Sequence, residues 1–66
     1  MRVWINGQPH ELPETATVAE ALAALAAPPV GVAVAVDGEV VPRAGWSERR
    51  LAPDARIEVL TAVQGG

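Results

Sequence analysis

The sequence predicts an α+β domain, with one main helix packed on one face of a mixed sheet of about five strands. Three observations lead there. Apolar residues recur with period two in three stretches, and two of these run straight into Asn-Gly or Asp-Gly. A single intervening stretch takes up the helical period behind a capping signal. The chain is 66 residues long, which is enough for one domain and too short for two.

Met1 to Ile5 opens as a strand, with Val3 and Ile5 on one face and Arg2 and Trp4 on the other. Asn6-Gly7 follows, and both residues tolerate the positive φ of a type I′ hairpin turn. A second short strand is expected over about Gln8 to Leu12, with Pro9 placing it at an edge. Thr17-x-x-Glu20 then reads as a capping box. Behind it, Val18, Leu22 and Leu25 recur at i, i+4 and i+7 as one apolar stripe, while Ala fills most other positions. Pro28-Pro29 ends this helix at about ten residues.

After Gly31, Val32, Val34 and Val36 share a face, and Asp37-Gly38 signals a second type I′ hairpin. Glu39 to Val41 is the returning strand, stopped by Pro42. Arg43 to Asp54 reads as loop or a short helical turn. The last strand starts at about Arg56, with Ile57 and Val59 inward and Arg56, Glu58 and Leu60 outward. This order resembles the ubiquitin-like β-grasp. The whole chain, 1–66, is read as one domain, with 62–66 an extended, flexible Gly-Gly tail.

Composition narrows the function. Half the residues are hydrophobic, yet Phe and Tyr are absent, so the core must be Val, Leu, Ile and Ala beside Trp4 and Trp46. With no cysteine there is no disulfide, zinc finger or thiol nucleophile, and one histidine does not make a metal site. The only serine is Ser47. A chain of this size buries roughly 60% of its unfolded surface and rarely encloses a dry pocket as well as a core. A self-contained enzyme, a resident metal and a bound cofactor are therefore not expected. A net charge of −3 argues against a nucleic-acid partner. The longest apolar run is too short for a membrane span and the N-terminus does not read as a signal peptide, so the expected location is the cytoplasm.

The residues that carry chemistry are the last ones. The final strand runs out through Thr61-Ala62-Val63-Gln64 into Gly65-Gly66. Glycine lacks a Cβ, so such an end is a narrow, pliable strip of backbone that can thread into a partner's active site. Its carboxylate is a poor electrophile until adenylation by ATP gives an acyl-adenylate, from which AMP leaves readily to a sulfur or nitrogen nucleophile. Set against this reading are a cloning scar and a frayed terminus, the lesser explanations of two terminal glycines.

Over essentially its whole length the chain resembles the ThiS family, the sulfur carriers of thiazole (thiamine) biosynthesis. The resemblance rests on Met1-x-Val3-x-Ile5-Asn6, Thr17-Val18-x-Glu20-x-Leu22, Ala33-x-Ala35-Val36-Asp37, Val41-Pro42-Arg43-x-x-Trp46 and Ala62-Val63-Gln64-Gly65-Gly66. Val-Pro-Arg-x-x-Trp is the most specific of these. Molybdopterin-pathway carriers share the fold and the Gly-Gly end but generally lack it. One departure stands out: family members usually carry Gly-Asp before the last strand, and here it is Pro53-Asp54. Pro cannot take positive φ, so that turn must differ.

The resemblance implies that Gly66 is the reactive end, as glycyl adenylate and then thiocarboxylate, with Gly65 and Gln64 threading behind it. It implies three partners: a ubiquitin-activating-like adenylyltransferase of the ThiF type using ATP and magnesium, a cysteine desulfurase supplying sulfur, and a thiazole synthase of the ThiG type receiving it. The alternatives are a carrier for molybdopterin or tRNA thiolation, a ubiquitin-like modifier, and a purely structural binding module.

Trp4 and Leu60 are expected side by side on the sheet face away from the helix, as a partner-contact patch beside the tail. Single exposed apolar residues are, however, ordinary. Trp46 is expected to cover the core edge beside the Pro42-Arg43 bend, with partner contact as the other reading of Trp46 and Arg43. His10 and the Arg49-Arg50 pair read as solvent-facing.

Overall fold

Two tight turns organise the sheet. In the computed structural model, which describes residues 1–25 and 31–61, Asn6 and Gly7 take φ of 51° and 82°, and Asp37 and Gly38 take 50° and 84°. These left-handed pairs match the right-handed twist of the strands they join. The first turn pairs β1 (Arg2–Ile5) with β2 (Gln8–Glu11), and the second pairs β3 (Val32–Val36) with β4 (Glu39–Val40), both antiparallel. Between the hairpins lies α1 (Val18–Leu25), and β5 (Arg56–Thr61) comes last.

β5 takes the centre. The described residues form one five-stranded sheet of order β2-β1-β5-β3-β4, with β5 parallel to β1 and antiparallel to β3. The inward residues of the three inner strands are Val3 and Ile5, Ile57 and Val59, and Val34 and Val36. They form one cluster with Val18, Ala21 and Leu22 of α1, which places the helix on that face. Leu25, the third residue of the predicted stripe, is half-buried against it.

The ends of two predicted strands fall short by a residue. β2 stops at Glu11, where Leu12 turns into the core while its N–H still donates to the Met1 carbonyl at 2.8 Å. β4 stops at Val40, although the Val41 N–H still reaches the Val34 carbonyl at 2.9 Å. The helix is described through Leu25, and its predicted end at Pro28-Pro29 lies outside the described residues.

The start of α1 explains the irregular segment. Thr17 and Glu20 form the predicted reciprocal box: the Thr17 N–H donates to Glu20 Oε1 at 2.9 Å, and the Glu20 N–H to Thr17 Oγ1 at 3.4 Å. The N–H groups of Val18 and Ala19 donate to the carbonyls of Arg49 and Trp46, at 3.0 and 3.1 Å. Every donor that a helix start leaves without an intrahelical partner is thus paired, two of them by a segment about thirty residues away in sequence. The Leu51 N–H returns the favour to the Ala16 carbonyl at 3.0 Å.

The Pro53-Asp54 departure resolves in the same way. The Ala55 N–H donates to the Ala52 carbonyl at 3.1 Å, closing a turn in which Asp54, not Pro53, takes the positive φ of 66°. Proline at the second position and a left-handed residue at the third describe a type II turn.

Candidate functional site at the end of the central strand

The predicted reactive residues Gln64, Gly65 and Gly66 lie outside the described residues, as does the tail from 62 onward. What the structure gives is the place from which they depart. β5 is held by β3 along its length, from Val36↔Ile57 to Val32↔Thr61. On its other side the paired positions with β1 are Trp4↔Arg56 and Ile5↔Ile57. β1 then ends in its turn, and Asn6 takes over. The Asn6 backbone N–H donates to the Ile57 carbonyl at 2.9 Å. Its carboxamide takes the Val59 N–H on Oδ1 at 2.8 Å and donates from Nδ2 to the Val59 carbonyl at 3.2 Å. Sequence reasoning sees Asn6 only as a turn residue; nothing local signals that its side chain reaches 53 residues along the chain.

The outer face of the sheet carries Trp4, Arg56, Glu58 and Leu60, as alternation predicts. The expectation that Trp4 and Leu60 sit side by side is corrected. Register sets Trp4 opposite Arg56, and Leu60 lies four residues further along β5, about 13 Å at strand rise. Glu58 stands between them. Trp4 is half-buried and has the Arg2 guanidinium over its ring, 6.0 Å from the centroid. Leu60 instead faces Ala33 across the β3–β5 ladder and shares a small apolar hollow with Ala33, Ala35 and Val40. Among the described residues, Val40 and Leu60 are the large apolar side chains left open, at 72% and 68%.

Neither concavity on this face suits chemistry. The apolar hollow holds about 70 Å³, well below an ordinary ligand pocket. The groove beside Trp4, Gly7, Arg56 and Glu58 is larger, about 340 Å³, but open and without a nucleophile or a histidine in its wall. Among the described residues no three metal-ligating side chains come together. None of the helices described is long and apolar enough to cross a membrane.

Val41-Pro42-Arg43-x-x-Trp46 becomes one corner. A 3₁₀ turn over Arg43–Gly45 follows Pro42 and swings the indole back, so that Trp46 Nε1 donates to the Val41 carbonyl at 2.9 Å. Trp46 is 8% exposed, which gives the core-edge reading and removes its indole from the surface a partner would touch. Arg43 stays exposed. Arg49 pairs with Glu39 at 3.2 Å on the surface, and His10 is half-buried on the edge strand.

A helix on one face of a five-stranded sheet, an exposed apolar patch on the other and a last strand at the centre, parallel to the first, define a protein of the ubiquitin-like β-grasp class. Comparison with known proteins narrows this. The ThiS family model matches residues 3–66, and the chain belongs to the ThiS family. It is similar to the thiamine biosynthesis protein ThiS of Geobacter metallireducens in its crystal structure, with a TM-score of 0.82 and 29% identity over the whole of both chains. A solution structure of a thiamine biosynthesis protein from the same organism gives a TM-score of 0.79 at 30% identity, covering all of this chain and 88% of that one. No curated protein sequence matches.

Proposed function

We propose that this chain is a sulfur carrier of thiamine biosynthesis that works through the carboxylate of Gly66. One observation carries the reading: the ThiS family match runs to residue 66, so its span includes Gly65-Gly66. The placement of β5 supports it, because a central strand held on both sides gives a tail a rigid base.

The chemistry follows from the carboxylate. A ThiF-type adenylyltransferase joins it to the α-phosphate of magnesium-bound ATP, releasing pyrophosphate. Sulfur carried from a cysteine desulfurase as a persulfide attacks the acyl carbon, the acyl–oxygen bond to AMP breaks, and a thiol reductant cleaves the resulting acyl disulfide to leave a thiocarboxylate. A ThiG-type thiazole synthase takes the sulfur, and the carrier returns as the carboxylate. The fold's share is to hold the tail and to dock. The patch around Leu60, with Trp4 and Arg43 elsewhere on the surface, is the proposed contact with these partners, since Leu60, on the strand that leads to the tail, and Val40 leave apolar surface open.

Deleting Gly66 tests the reading. ATP–pyrophosphate exchange by the adenylyltransferase should require the intact chain and vanish with the deletion. Exchange indifferent to the deletion would support a structural binding module instead.

A further inference from the structure

Asn6 does two separable things. Its backbone, at φ 51°, supplies the left-handed residue that the first hairpin needs. Its side chain does something a turn does not ask for. Along β5 the carbonyls of Ala55 and Ile57 accept from the N–H groups of Trp4 and Asn6, at 2.8 and 2.9 Å. Val59 is the next residue with this orientation, and β1 has already turned away at Gly7. A carboxamide carries one acceptor and one donor group, the same pair as a peptide unit. With Oδ1 on the Val59 N–H and Nδ2 on its carbonyl, the Asn6 side chain continues the ladder one step past the strand that makes it.

We propose that Asn6 is a positioning residue for the C-terminal reaction: its clamp on Val59 fixes where β5 stops being held on both sides, and so steadies the base from which Gly66 is presented. The inference rests on the sulfur-carrier reading above. β3 holds β5 as far as Thr61, five residues before Gly66 (66 − 61), so a fully extended segment reaches at most about 18 Å beyond it. Without the clamp, the last β1-side anchor falls back two residues to Ile57. That adds roughly 7 Å of chain free on one side. A looser base spreads the end over more positions and lowers the fraction correctly placed in a partner's site, which raises KM more than it lowers kcat.

Asn6→Gly separates the two roles, because glycine adopts the positive φ at least as readily as asparagine. Asn6→Asp keeps the acceptor for the Val59 N–H and loses the donor. Two measurements apply: amide hydrogen exchange at Val59 in the free protein, with Trp4 as the control in the same ladder, and KM and kcat for adenylation. In Asn6→Gly, Val59 should exchange roughly tenfold faster or more while Trp4 is unchanged, and KM should rise at least about threefold with kcat nearly constant. Asn6→Asp should fall between. Unchanged Val59 exchange overturns the proposal, and so does faster exchange with an unchanged KM. Loss of protection at Trp4 together with Val59 also overturns it, since the side chain would then serve general stability. A wild-type chain that is never adenylated removes the proposed function, and this role with it. Wild-type turnover with an indifferent Asn6→Gly removes this inference alone.

Discussion

Leu60 and Trp46 show how differently two apolar residues behave when one is open and the other closed. Leu60 is 68% exposed, so Leu60→Ser forfeits little burial and should leave stability within about 0.5 kcal/mol. Binding to the adenylyltransferase, measured by calorimetry, should weaken several-fold; unchanged affinity would take the patch out of the account. Trp46→Phe has the opposite profile. It removes the donor to the buried Val41 carbonyl and should cost about 1–3 kcal/mol in denaturant unfolding, with partner affinity unaffected. The faces of Trp4 and Leu60 are legible from alternation alone. Their separation is not, because it depends on which residue of β1 meets which residue of β5, and register between strands fifty residues apart leaves no local trace. Asn6 escapes for the same reason.

The elements are the most legible scale. Both Xaa-Gly turns, the capping box and the inward faces of β1, β3 and β5 follow from residue types a few positions apart. The stretch from Arg43 to Asp54 does not, since its order comes from carbonyls of Trp46 and Arg49 meeting the start of α1. α1 is described over eight residues, too few to stand without packing and caps. Thr17→Ala should therefore cost about 1 kcal/mol, and a loss of that size lowers Tm by about 4–8 °C for a domain of this length. The Pro53-Asp54 turn gives a second check. Pro53 fits the second position of a type II turn, so Pro53→Gly, which restores the commoner family pair, should destabilise by about 0.4–1 kcal/mol through the entropy of the unfolded chain. A stabilised variant would contradict that turn assignment.

At the scale of the molecule, an all-aliphatic core with one corner tryptophan closes a sheet over a single helix, and the last strand runs up its middle. The lack of cysteine and the single histidine and serine, which disfavour an enzyme when read from composition, take on a positive sense in a carrier. On the proposed reading sulfur rides on the terminal carboxyl group, and the partners supply the pocket. The central claim is that Gly66 becomes a thiocarboxylate, and intact-mass spectrometry reads this directly. After incubation with the adenylyltransferase, magnesium, ATP and a sulfur source, the chain should gain the mass difference between one sulfur and one oxygen atom, located to Gly66 by fragmentation, and it should lose that gain on reaction with thiazole synthase. A mass that stays fixed, with an activating enzyme shown to be competent on another carrier, would contradict the account.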